Sequence, residues 1–318
     1  MKRLQRLVAS VALTLTAVIA PALAVASPAV ANPGNPPGAD GTAHAASYTF
    51  TTIDVPGATR TAVNANSPHA MAGEFDDAGG NTHGFVVDHG VFTQIDVPNA
   101  GATTVNGINA NGRLAGIYLD ANGFHAFFWS NGVFTTLDPP GSIRSIGGFL
   151  NARDEVVGTY RTAGQIRHGF IWRKGVFTTL DEPNSDPPLG TVAIGINDPG
   201  QIVGDYVDAP GDRHGFLLRK GVYTTLDVPG APHLTVAEGI NNAGQIVGLY
   251  NDAAVVNQPP PANQHGFVLR NCIYTTIDVD IPGSTATAIF SINARGEIVG
   301  SYHDAQDVEH GYVGKPAR

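Results

Sequence analysis

Six times between residues 50 and 283 the chain returns to one short phrase: FTTIDVPG at 50–57, FTQIDVPN at 92–99, FTTLDPPG at 134–141, FTTLDEPN at 177–184, YTTLDVPG at 223–230 and YTTIDVDIPG at 274–283. Its aspartates, Asp54, Asp96, Asp138, Asp181, Asp227 and Asp278, stand 42, 42, 43, 46 and 51 residues apart. A period of this length marks one supersecondary unit stacked on copies of itself, because such a unit cannot bury its apolar face alone. Whatever the chain does is therefore carried on a repeated scaffold.

Each unit holds three further apolar runs. In the fifth these are TVAEGIN (235–241), QIVGLY (245–250) and HGFVLR (265–270), followed by IYTTIDV. Short runs rich in Val, Ile, Thr, Tyr and Phe, bounded by Gly, Asn, Asp or Pro, predict strands rather than helices. The N-x-x-G segments 109–112, 197–200, 241–244 and 293–296, and the dipeptides HG, NG, KG and KG at 89, 131, 174 and 220, predict tight hairpins whose glycine takes φ > 0. Cys272 replaces that glycine in the sixth copy, which makes it a turn residue, and as the single cysteine it has no disulfide partner.

Four antiparallel strands per unit, six times over, predict an all-β fold: a six-bladed β-propeller with four-stranded blades. The first copy opens on its FTTID strand and the last ends at HGYVG without one. The N-terminal strand within Tyr48 to Val55 is thus expected to pair into the last blade and close the ring. The glycine of V-G-x-Y, at Gly73, Gly116, Gly158, Gly204, Gly248 and Gly300, implies a bulge or close backbone approach. The aromatic two residues later, Phe75 or a tyrosine, is expected to pack between blades.

Ahead of the repeats, Lys2, Arg3 and Arg6 precede an apolar run from Leu7 to about Val25, and small residues follow in A-x-A patterns. This is the layout of a secretory signal peptide, assigned to 1–26, with a Pro, Gly and Ala-rich flexible linker at 27–47 and a single propeller domain at 48–318. Export implies an extracellular or periplasmic protein with no stable membrane span after cleavage. The formal net charge is -9 and becomes more negative without the leader. Affinity for nucleic acid rests on neutralising phosphates, so a nucleic-acid partner is not expected.

HAFFWSNGVFTTLD at 125–138, with GINNAGQIVGLYND at 239–252, resembles the HAF repeat family of extracellular bacterial proteins. The triplet reads HAF only at His125–Phe127; the other copies read HGF or HGY. The resemblance spans all six units and implies a secreted repeat protein; it brings no catalytic residues to carry over.

The expected meander puts tight turns on one face and the longer second-to-third and fourth-to-first loops on the other. The tight-turn face collects Arg113, Arg153, Arg173, Lys174, Arg219, Lys220, Arg270 and Arg295. Most acidic residues gather on the loop face, including the six repeat aspartates and Asp77, Asp120, Asp208, Asp252 and Asp304, beside Arg60, Arg144, Arg161, Arg167 and Arg213. His83, His125, His168, His214, His265 and His310 open the third strands there. Two readings stand: a ring of metal ligands, with calcium as the candidate ion, or side chains that tie loops together within each blade. Sixfold recurrence favours the second, since a site is normally singular; no cofactor is expected.

Function is better sought where copies differ. Glu238 is the sole acid in the first-strand series, whose equivalents read as Thr61, Asn106, Gly148, Ile194 and Phe290, and is the one weak catalytic candidate. Arg161 and Thr162 fall where other units run to Asp, which makes Arg161, with Asp77, Asp120, Asp208, Asp252 and Asp304, a ligand-face candidate. In the third unit Arg153, Asp154 and Glu155 replace the tight turn, and the loop Ala253 to Gln264 is long enough to wall a cleft. These features predict a monomeric, non-enzymatic binding scaffold for an extracellular ligand or cell-surface polymer. The alternatives are a polysaccharide hydrolase or lyase with funnel carboxylates, which normally needs a second carboxylate, and a calcium-dependent adhesin.

Overall fold

A computed structural model describes residues 48–231, 233–251, 264–284 and 286–317. The leader, the linker, Asp252 and nearly all of the long loop after it lie outside the described residues.

The described chain is 24 strands, β1 to β24, in six four-stranded antiparallel sheets. The first blade is β2 (Arg60–Asn66), β3 (Ala70–Asp76), β4 (Thr82–Asp88) and β5 (Val91–Ile95), in that order. Four more blades repeat it, beginning at Ala102, Ser142, Thr191 and Thr235. The sixth is β22 (Ala286–Ile292), β23 (Ile298–His303), β24 (Glu309–Pro316) and then β1 (Tyr48–Ile53), which pairs with β24 from Tyr48↔Pro316 to Ile53↔Gly311. The ring is closed as its sequence framing requires.

The turns have the expected chemistry. Both central residues of the hairpin between third and fourth strands are left-handed, as at Lys174 (φ 47°) and Gly175 (φ 89°), which is the two-residue turn that matches strand twist. Cys272 is held at φ 63° in the same position and is exposed.

The V-G-x-Y glycine sits where first and second strands of one blade come closest. A Cβ at Gly204 would lie 1.9 Å from the Val192 carbonyl oxygen, and one at Gly300 would lie 1.8 Å from that of Ala288. A first-strand bulge follows immediately in these blades, skipping Ile194 in the fourth and Phe290 in the sixth. The bare glycine also seats the third-strand aromatic, Phe85, Phe127, Phe170, Phe216, Phe267 or Tyr312, all fully buried. The close backbone approach implied by this glycine therefore occurs inside each blade, between its first and second strands. Contact between blades falls one step on, where a Cβ at Gly239 would meet the Phe290 carbonyl oxygen at 2.8 Å.

The V-G-x-Y tyrosines do contribute to packing between blades: Tyr250 lies in one apolar cluster with Val203 and Leu226 of the preceding blade. They have a second role that the repeat alone did not show. Each stacks on the histidine of its own blade, as Tyr160 on His168 at 5.1 Å, and bonds a fourth-strand threonine, as Tyr160 to Thr179 at 3.0 Å.

Asparagines stitch the blades on the tight-turn face. Nδ2 of Asn109, Asn151, Asn197 and Asn241 donates to the carbonyl of Asn151, Asn197, Asn241 and Asn293 in the next blade, at 3.0–3.2 Å. Their Oδ1 atoms accept the amides of their own turns, as at Arg113 and Gln245. The asparagine thus closes a hairpin and joins two blades at once.

Candidate functional site

The repeated His and Asp residues are spent on one another. In every blade the histidine Nδ1 donates to the fourth-strand aspartate: His83 to Asp96 (2.9 Å), His125 to Asp138 (2.8 Å), and His168, His214 and His265 to Asp181, Asp227 and Asp278 (3.0 Å). His310 makes the same bond to Asp54 at 2.9 Å, across the closure of the ring. Hydrogen bonding to Asp227 is the largest influence on His214 and, against burial, moves its pKa up to about 9. At His83 and His310 burial pulls downward, and the paired carboxylates outweigh it to leave both raised.

The second aspartate series closes loops. Asp77 Oδ1 accepts the Asn81 amide at 2.8 Å, Asp120 that of Asn122 at 2.7 Å, Asp208 that of Asp212 at 2.9 Å and Asp304 that of Val308 at 2.9 Å. Hydrogen bonds from Asn81 hold Asp77 down at about 2, and backbone amides lower Asp120 and Asp304. Among the described residues, no three His, Cys, Asp or Glu side chains form a group able to hold a metal ion.

Glu238 lies at the first-strand bulge of the fifth blade, between Ala237 and Gly239 in the pairing register. Its counterpart in the first blade is Asn64 rather than Thr61, because the bulge there falls between Val63 and Ala65. Thr61 belongs to another repeated device: its hydroxyl accepts the Val55 amide at 3.1 Å, as Thr235 accepts that of Val228. Asn64 and Asn106 bridge inner strands, donating to Val105 O and Gly147 O. Glu238 is only 7% exposed, and burial pushes its pKa up to about 8, with the Asp205 charge adding to the rise and Arg213 opposing it.

Asp205 is thus the second carboxylate that the sequence reading did not supply, and it is already committed. It is fully buried, and Arg213 clamps both its oxygens at 2.6 and 2.9 Å. A comparable network sits at the seam of the ring. There Arg60 bonds Glu74 at 2.7 Å, Asp76 at 3.0 Å and Glu309 at 2.9 Å, so that one guanidinium joins the first blade to the last.

The third blade is built differently. Arg144, Arg161 and Arg167 occupy directly opposed positions on its first three strands, Arg144↔Arg161 and Arg161↔Arg167, at the loop-face end. The corresponding trio in the first blade is Arg60, Asp76 and Thr82. Among the described residues no carboxylate ion-pairs with Arg144, Arg161 or Arg167, and Thr162 replaces the loop-closing aspartate.

No protein-family model and no curated protein sequence matches the chain. Solved structures do. AofleA from Arthrobotrys oligospora superposes with a TM-score of 0.51 at 14% identity, over 84% of this chain and 86% of its own. A variant of the Aleuria aurantia lectin in complex with alpha-methyl-L-fucoside gives 0.51 at 11% identity, over 83% and 93%. The same lectin in complex with Fucalpha1-6GlcNAc gives 0.50 at 12% identity, again over 83% and 93%. At such identities the likeness is one of fold, and the chain is a six-bladed β-propeller of the architecture these fungal proteins share.

Proposed function

We propose that this chain is a secreted, non-enzymatic carbohydrate-binding propeller that takes its ligand on the loop face. The observation that carries this reading is the sixfold commitment of the reactive-looking groups to one another within the scaffold. Six imidazoles are hydrogen-bonded to six carboxylates, and four described loop aspartates are bonded to their own turns. The same pairing of imidazole and carboxylate recurs in every blade, as a scaffold bond does, whereas a catalytic set is normally singular. The binding of fucosides by lectins of this fold supports a saccharide as the ligand class. The leader-like first 26 residues and the HAF-type motifs support export, where cell-surface polymers are met.

The hydrolase reading draws on one specific feature, a glutamate still protonated near neutral pH beside a second carboxylate. Its geometry is unfavourable: Glu238 is buried, Asp205 is inaccessible and both Asp205 oxygens are occupied. Titrating the purified chain against neutral and acidic oligosaccharides, with product analysis on each mixture, separates the readings. Saturable binding with intact saccharide is expected. Turnover that disappears in Glu238→Gln would establish the enzyme instead. A thermal midpoint raised by calcium and lowered by chelator would favour the adhesin.

A further inference from the structure

We infer that Arg144, Arg161 and Arg167 form a binding site for an oxyanion, the carboxylate or sulfate group of an acidic saccharide. This rests on the saccharide-binding reading and adds to it the chemistry of the ligand.

The site begins with strand register. Residues directly opposite on antiparallel strands share one face and stand about 4.5–5.5 Å apart, so like charges there repel. The third blade places arginine opposite arginine opposite arginine across three strands. Arg161 is 9% exposed; its Nη1 donates to the Gln165 carbonyl at 2.7 Å, while its Nε is buried with no partner. A buried donor left unmade is costly, and a guanidinium edge matches the two oxygens of a carboxylate or sulfate. Arg144 and Arg167 are both partly buried, and among the described residues neither makes a side-chain hydrogen bond or ion pair. Burial lowers the pKa of each member of the trio; at Arg167 it acts first and Arg161, Arg213 and Arg144 add to it, down to about 10 against the opposing pull of Asp205. Asp205 itself is held by Arg213, so it does not neutralise the trio.

The surroundings admit an anion here and oppose it elsewhere. At the position of Thr162 the other units carry Asp77, Asp120, Asp208, Asp252 and Asp304, so the third blade alone lacks an acid there. The seam arginine, by contrast, is surrounded by Glu74, Asp76 and Glu309. Among the described residues, an otherwise acidic loop face therefore carries a cationic cluster on the third blade, and its ligand has to be locally rather than uniformly anionic.

The test is calorimetric titration of the full chain with three saccharides of equal length: trigalacturonate, a sulfated galactotriose and neutral galactotriose. At least one acidic probe should bind tenfold or more tightly than the neutral one, and the better of the two identifies the oxyanion. Arg161→Gln and Arg167→Gln should each weaken that binding at least tenfold, while Arg219→Gln on the opposite face leaves it unchanged. A fold defect is separated by melting without ligand: losing one of three facing cations should keep or raise the midpoint. Equal affinity for all three probes, unaltered by the variants, would overturn the inference and leave the saccharide reading standing. Absence of binding by all three probes would overturn both.

Discussion

Cys272 shows how closely one residue can be read from a repeat. Four blades put glycine into the second left-handed position of the hairpin between third and fourth strands, and the fifth forces a cysteine to φ 63° there. A left-handed backbone costs an L-residue about 1–2 kcal/mol. Cys272→Gly is therefore expected to stabilise the protein by about 1 kcal/mol in urea unfolding, without altering its binding, because the residue is exposed and far from the loop face. Glu238 makes an opposite case. Its pKa rises from the ordinary glutamate value to about 8 through burial, so the native state keeps a proton that the unfolded chain has already lost. Stability then falls as pH climbs between these two values. Glu238→Gln has no such proton to hold, and its stability relative to the parent should increase from pH 5 to pH 8.5 in parallel unfolding titrations.

At the scale of the blade, the unit is a relay of tyrosine, histidine and aspartate laid across the second, third and fourth strands. His214 bonds Asp227 through Nδ1 and faces Asp208 at 3.3 Å through Nε2, with Tyr206 stacked on its ring. Its raised pKa means the stabilisation is fully present below the unfolded value of about 6.5 and is lost as pH rises toward 9. The ring edge is in solvent, so the contribution is discounted to about 1 kcal/mol. His214→Gln should accordingly cost more at pH 6 than at pH 9.5. Much of this was legible: recurrence marked the His and Asp residues as scaffold, and the turn glycines fell where the hairpins are. What stayed hidden depended on register. The opposition of Arg144, Arg161 and Arg167 follows from the pairing of three strands separated by loops of unequal length, and no local pattern states it. The same holds for the assignment of Asn64 rather than Thr61 as the counterpart of Glu238, which rests on where the first-strand bulge falls in the pairing register. Asp205, at a position where other blades carry Glu74, Ile117, Thr159, Leu249 and Ser301, shows its tie to Glu238 only once two blades are placed side by side.

For the whole molecule, the ring depends on its seam. β1 covers the outer edge of β24, Phe50 packs on Tyr312 at 5.5 Å, and Arg60 gathers three carboxylates from the first and last blades. Deleting residues up to Val55 should expose an unpaired strand edge, lower the urea midpoint and drive self-association in size-exclusion chromatography. A truncated chain that stays monomeric with an unchanged midpoint would show that the ring stands without its clasp. The closure carries a further consequence for time. Five blades form their histidine to aspartate bond over 13 residues, while the sixth forms the identical bond over 256. By the logarithmic law for loop closure, that one bond costs roughly 2.5 kcal/mol more chain entropy than its five copies. β1 is synthesised long before β24 and waits unpaired until it appears, so among the described strands the one that opens the sequence order is the one whose partner arrives latest.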